Sequence, residues 1–257
     1  MENHTGKRMS SSIERILDIF EAFQASQRPL SLTALAAATG MPKSSCHALV
    51  STLSRRGYLY SLSRPKAFYP TRRMYDAAID IVMKDPFIEQ VMPSLERLRD
   101  ESGETIIMGK RQGHSAVYLQ VVESLQSICY SAKPGDIKPL HSSAIGKAIL
   151  GALSNIDLQD WVEERDFMPI TASTLTAPTA FISELSQSRL KGYFQSRGEN
   201  VTDVWAVAAP LKIRKEIFSI AVAGPQHRIE PKLKKIAQQL NITAGLIVRE
   251  FNESVVL

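Results

Sequence analysis

The sequence predicts an α+β protein in two parts: a small helical N-terminal domain that closes on a basic β-hairpin, and a larger C-terminal domain with an antiparallel sheet. Three observations predict this. A length of 257 residues suits two domains better than one. Positive charge is confined to one end, since residues 1–75 hold 11 Lys and Arg against 4 Asp and Glu while residues 76–257 hold 20 against 22. Three helical segments and a hairpin come first, followed by runs of strand that enclose helices.

Several classes fall away. No apolar run is long enough to span a membrane, and the start MENHTGKRMSSS has no apolar core of a signal peptide. The only cysteines are Cys46 and Cys129, with no CxxC pair, which argues against a disulfide framework and a cysteine metal site. A cytoplasmic protein without metal, cofactor or membrane contact is expected.

The elements follow in order. Ser11 and Glu14 form a capping box ahead of the helical stripe Ile13, Ile16, Leu17, Phe20 and Phe23, and Gln27-Arg28-Pro29 ends that helix. Ser31 caps a second helix carrying Leu32, Leu35 and Ala36, and Gly40 closes it in the left-handed region. Pro42 fits the first turn of a third helix that runs to Arg56 and stops at Gly57.

Two short helices joined by a glycine turn read as a helix-turn-helix. In the third helix Cys46, Leu49, Val50 and Leu53 form the apolar side, so Ser44, His47, Ala48, Ser51 and Arg55 face away. That outward face is small and polar, then basic. It suits close approach to base edges and phosphates. Next, YLYS and AFYP flank a turn with Arg64, Pro65 and Lys66, a hairpin wing with a basic tip. Double-stranded DNA is the partner this order implies. The plain alternative is a solvated basic surface with a hairpin covering the helices. Ser44, Ser45, His47 and Ser51 are expected in the major groove, with Lys43, Arg55, Arg64 and Lys66 on phosphates or the minor groove.

The stretch LSLTALAAATGMPKSSCHALVSTLSRRGYL resembles the DNA-binding domain of IclR-family transcriptional regulators. ESGETIIMGKRQG, PLHSSAIGKAILGAL, LKGYF, VAAPL and IAVAGPQHRI resemble that family's effector-binding domain, in the right order over nearly the whole chain. PLHSSAIGKAIL is the most specific of these. The resemblance implies a winged helix-turn-helix domain at 10–72 (helix-turn-helix about 32–51), a linker helix at 73–85 and a GAF-like α+β effector domain at 86–252.

Within the linker, Met74, Ala77, Ala78, Ile81 and Val82 make an amphipathic helix over Thr71 to Lys84, which Asp85-Pro86 breaks. The resemblance implies that it takes part in dimerisation. A homodimer, or a tetramer, is therefore expected on a roughly palindromic operator. In the C-terminal part, strands are expected at TIIMGKR, AVYLQVVES, SICYSA, VWAVAAPLKI and IFSIAVAG. Helices are expected at Ser142–Leu153, Thr179–Lys191 and about Glu230–Phe251.

No catalytic constellation is legible. His141 adjoins Ser142 and Ser143, but adjacency supplies neither an orienting carboxylate nor an oxyanion hole. There is no GxSxG, GxGxxG, phosphate-binding loop or HExxH. His141 reads as a structural histidine at a helix start, and Lys147 either meets an anion or is solvated. An enzyme fused to a DNA-binding domain is the competing class.

The resemblance also implies an effector pocket. Carried over by position, it takes Ala144 and Ile145 at a helix start, Ser196, Val204 and Ala206 around the first late strand, and Ala221 and Ala223 on the second. Relatives that bind small keto acids tend to place Asp, Cys and Ser where this chain has Ser196, Ala206, Ala221 and Ala223. An apolar wall cannot hold a buried carboxylate unaided. The expected donors are Ser196, the backbone N–H groups of the helix start and Lys147. The implied effector is a small organic acid with one acidic end and an apolar or aromatic body; the alternative is that the alanines only pack a core. The protein is expected to repress a catabolic operon, with ligand-dependent activation as the other direction.

Overall fold

The computed structural model describes residues 12–82 and 84–253. Ser11, the expected cap of the first helix, lies outside them. The chain divides into two compact units, Met1–Asp85 and Pro86–Leu257.

In the first unit, α1 (Ser12–Ser26), α2 (Leu32–Thr39) and α3 (Lys43–Arg55) precede a hairpin of β1 (Leu59–Ser63) and β2 (Lys66–Pro70). Ser31 caps α2 by accepting from the Ala34 N–H, and Gly40 ends it at φ 64°, where a side chain would strain the backbone. Pro42 is not inside α3 but just before it, at φ −56° and ψ 138°. Ile19, Phe23, Leu35, Cys46, Val50 and Leu53 fill the core. β1 and β2 pair from Leu59↔Pro70 to Ser63↔Lys66. An isolated bridge, Leu30↔Phe68, ties the chain before α2 to the hairpin. α4 (Arg73–Val82) follows and buries none of its residues.

The second unit has a six-stranded antiparallel sheet of β3 (Thr105–Gln112), β4 (Ser115–Val122), β5 (Ile137–Pro139), β6 (Phe194–Arg197), β7 (Val204–Ile213) and β8 (Glu216–Pro225). Their order is β5-β4-β3-β8-β7-β6. Its helices are α5 (Pro86–Ser102), α6 (Ala144–Gly151), α7 (Asn155–Glu163), α8 (Pro178–Lys191) and α9 (Gln226–Glu253).

Strand alternation sorts the sheet into two cores. Ile106, Met108, Val207, Ala209, Ile220 and Val222 face α5 and α9. Ile107, Ala208, Ala221 and Ala223 face α6 and α8. The α6 side carries the smaller residues, and α6 sits close. A Cβ on its Gly146 would collide with the Leu140 backbone, and one on Gly151 with the Phe194 ring.

β4 breaks the alternation. Met108 pairs with Gln120 but Gly109 with Tyr118, so Leu119 is an extra residue, a β-bulge. Ala116 and Tyr118 before it, and Val121 after it, therefore share the α6 face, while Val122 faces the other way.

Other departures from the expected elements are local. SICYSA is no strand, because β4 pairs instead with the short β5. Cys129 consequently lies half-buried in a loop. β6 and α7 were not anticipated, and the four residues of β6 are too few to show a period. α9 starts at Gln226, whose N–H is held by the Asp203 carbonyl at 2.9 Å.

Candidate functional site

The first candidate surface is on the N-terminal unit. Burial of Cys46, Val50 and Leu53 turns the opposite side of α3 to solvent. Lys43, Ser44, His47, Ser51 and Arg55 are all exposed there, as are Arg64 and Lys66 at the hairpin tip. Ser45, expected to face the groove with them, is half-buried beside Cys46.

Charge reinforces this surface. From Gln27 to Tyr75 the chain has no Asp or Glu, while it carries Arg28, Lys43, Arg55, Arg56, Arg64, Lys66, Arg72 and Arg73. Among the described residues, Lys43, Arg55, Arg56, Arg64 and Lys66 form no salt bridge, so their field is uncompensated nearby. Pro42 provides no side-chain cap, which leaves the first N–H groups of α3 to an outside acceptor. Sequence reasoning passed over Arg56, although the pair Arg55-Arg56 at the helix end was visible.

The second candidate site is in the C-terminal unit. Ala144, Ile145, Ser196, Val204, Ala206, Ala221 and Ala223 line one cavity of about 30 Å³. Sheet register explains the grouping. Ser196, Ala206 and Ala223 are direct cross-strand neighbours on β6, β7 and β8, and Ala208 and Ala221 form the next row. Ser143 seats α6 against this wall: its hydroxyl accepts from the Gly146 N–H at 3.2 Å and donates to the Pro139 carbonyl at 2.7 Å.

Two of the expected donors are already engaged. Ser196 donates its hydroxyl to the Ser142 carbonyl at 2.6 Å. Lys147 is wholly buried and meets neither solvent nor the cavity. Its ammonium binds both Glu199 oxygens at 2.6 Å and the Glu184 oxygens at 2.9 and 3.0 Å. Burial pushes the Glu199 carboxyl up from its ordinary range, and Lys147 opposes that shift. His141 is buried with Nε2 2.9 Å from the Met168 carbonyl oxygen and its ring edge-on to Phe167. It stays structural.

Tyr118 and Tyr130 complete the wall with Asn200 and Val201. Sequence reasoning missed both tyrosines. Tyr118 would have required knowing the bulge, and Tyr130 lay in a segment read as strand. Burial pushes both phenols above their ordinary range. Tyr130, Val201 and Val204 also border a wider outer cleft of about 690 Å³ with Ile128, Asp203 and His227. Among the described residues no acidic, His or Cys cluster could hold a metal ion, and no helix is long and apolar enough to cross a membrane.

Comparisons with known proteins agree with this geometry. The profile of the IclR helix-turn-helix domain matches residues 12–63, and that of the bacterial transcriptional regulator IclR C-terminal domain matches residues 80–249. The HTH-type transcriptional regulator BhcR of Paracoccus denitrificans is 31% identical over 85% of this chain and 78% of its own length. The transcriptional repressor IclR of Escherichia coli is 27% identical over 85% and 81%. An IclR homologue of Microbacterium hydrocarbonoxydans, complexed with 4-hydroxybenzoate, shares the fold with a TM-score of 0.76 at 18% identity, over 95% of this chain and all of that one. The first two of these relatives are named as transcriptional regulators.

Proposed function

Because the chain belongs to the IclR family of bacterial transcriptional regulators, we propose that it represses a catabolic operon and leaves its operator on binding a small organic acid with an apolar or aromatic body. The effector reading rests on one observation. Seven residues from four separate elements converge on a single narrow cavity at the start of α6, and six of them are apolar. The 4-hydroxybenzoate complex of the Microbacterium homologue supports an aromatic acid, and the repressor named among the relatives supports the direction.

The assignments follow. Residues 10–72 bind double-stranded DNA through the exposed face of α3 and the hairpin tip, residues 73–85 link, and residues 86–252 sense the effector in the cytoplasm. Two copies act together, since α4 leaves Met74, Tyr75, Ile79, Ile81 and Val82 exposed and an apolar stripe of this kind suits a second helix. Effector binding then shifts a population between arrangements that can and cannot hold the operator.

The test is selection of genomic fragments by the full-length protein, then footprinting with and without 4-hydroxybenzoate, benzoate and glyoxylate. Protection of a palindrome with half-sites spaced by about one 10-bp turn, lost on adding an aromatic acid, is the expected result. Release by glyoxylate alone, or a single protected half-site, would overturn it.

A further inference from the structure

The polar groups around the cavity can be accounted for one by one. Ser196 and Ser143 direct their hydroxyl protons to backbone carbonyls, and Lys147 is sealed against two glutamates. In the first turn of α6, Ser143 takes the Gly146 N–H. The N–H groups of Ala144 and Ile145 ahead of it have no acceptor among the described residues, and they lie at the positive end of the helix. Beyond these, the paired phenols and the Asn200 amide remain. The hydrogen bond between the phenols holds the Tyr118 proton more tightly and eases the loss of the Tyr130 proton. Two hydroxyls that share one hydrogen bond leave one proton free for an outside acceptor, and Tyr130 is the phenol that borders both the cavity and the outer cleft.

We propose that Tyr130 is the specificity-determining side chain of the effector site: its hydroxyl, with the N–H groups of Ala144 and Ile145, holds the effector's carboxylate, and Tyr118 orients it. This rests on the effector reading above. In a cavity of about 30 Å³ these donors lie within reach of one small group. Tyr130 also stands where the cavity meets the outer cleft, on the loop between β4 and β5, so its movement widens the cavity for a ligand.

Neutral donors satisfy one carboxylate without a buried cation. They leave only the Asn200 amide for a second polar group, because the rest of the wall is mainly alanine, isoleucine and valine. The site therefore favours monocarboxylates over dicarboxylates, whose second carboxylate would be buried with one neutral amide to meet it.

The experiment is calorimetric titration of the full-length protein with benzoate, 4-hydroxybenzoate, phenylacetate and the methyl ester of each. Wild type binds at least one acid and prefers it to its ester. Tyr130→Phe weakens the acid by about 10–100-fold, as expected for one hydrogen bond to a charged group, and narrows the preference over the ester. Tyr118→Phe has a smaller effect in the same direction, and Ala206→Trp removes binding of acid and ester alike. If Tyr130→Phe binds the acid as tightly as wild type while Ala206→Trp does not, the Tyr130 assignment fails and the cavity stands. If no acid binds wild type at millimolar concentration, or Ala206→Trp still binds, the effector reading fails and Tyr130 with it.

Discussion

Lys147 and Glu199 meet inside the C-terminal unit with both carboxylate oxygens 2.6 Å from the ammonium. Lys147 has no exposed surface, and Glu184 completes the cluster from α8. A buried pair of this kind adds little net stability as it stands, but breaking it leaves a charge in the interior. Lys147→Met is expected to destabilise the protein by about 3–5 kcal/mol, and Lys147→Met with Glu199→Gln by less than Lys147→Met alone. Chemical denaturation of wild type, Lys147→Met, Glu199→Gln and the double variant checks this. A double variant as unstable as the sum of its parts would show that the two residues are not coupled.

His141 gives a pH signature. Burial lowers its pKa from the ordinary 6.5, against the bond to Met168, and Lys147 lowers it further. The folded state thus prefers the neutral ring. Its contribution is full above pH 6.5 and is lost as the pH falls through the lower folded value. Melting curves between pH 7.5 and 5 should show wild type losing more stability than His141→Gln. Parallel curves would remove His141 as the cause.

Ala206 is a test of the cavity by filling. It sits between Ser196 and Ala223 in one cross-strand row. Ala206→Trp occupies the space and should abolish effector-induced release while operator affinity stays within about threefold, a shift of roughly 0.6 kcal/mol. Mobility-shift titrations with and without the acid separate the two. A retained response would place the effector elsewhere.

On the DNA-binding surface, two substitutions should differ in kind. Lys43→Ala weakens binding to all sequences alike and lowers the salt slope by about one unit. His47→Ala relaxes preference at one or two base pairs, each worth about 1–3 kcal/mol. Binding selections against randomised operators distinguish them, and unchanged preference in His47→Ala would mean that another face of α3 meets the bases.

The helices of the N-terminal unit were legible because each carries its own punctuation: Ser31 and Gly40 around α2, Gly57 after α3. The cavity lining came from family resemblance rather than from pattern. Alternation alone would put Ala206, Ala208, Ala221 and Ala223 on one face without saying whether that face is hollow. What stayed hidden was long-range. Lys147 reads as an ordinary helix cation until Glu184 and Glu199, 37 and 52 residues away, close on it. Ser196 reads as a free donor until Ser142 approaches from 54 residues away.

The bulge at Leu119 has a consequence for how this sensor can change. It leaves β4 one residue longer than its pairing with β3 requires, between Tyr118 and Val121. Deleting Leu119 would set Tyr118 and Gln120 side by side opposite Gly109 and Met108, with Ala116, Tyr118 and Val121 still on the α6 face and Val122 still on the other. New ligand preferences can therefore arise by exchanging side chains around the phenols or by losing this one residue, without turning over the rest of the strand. A comparison of natural variants should find single-residue differences in the length of β4 concentrated at the bulge.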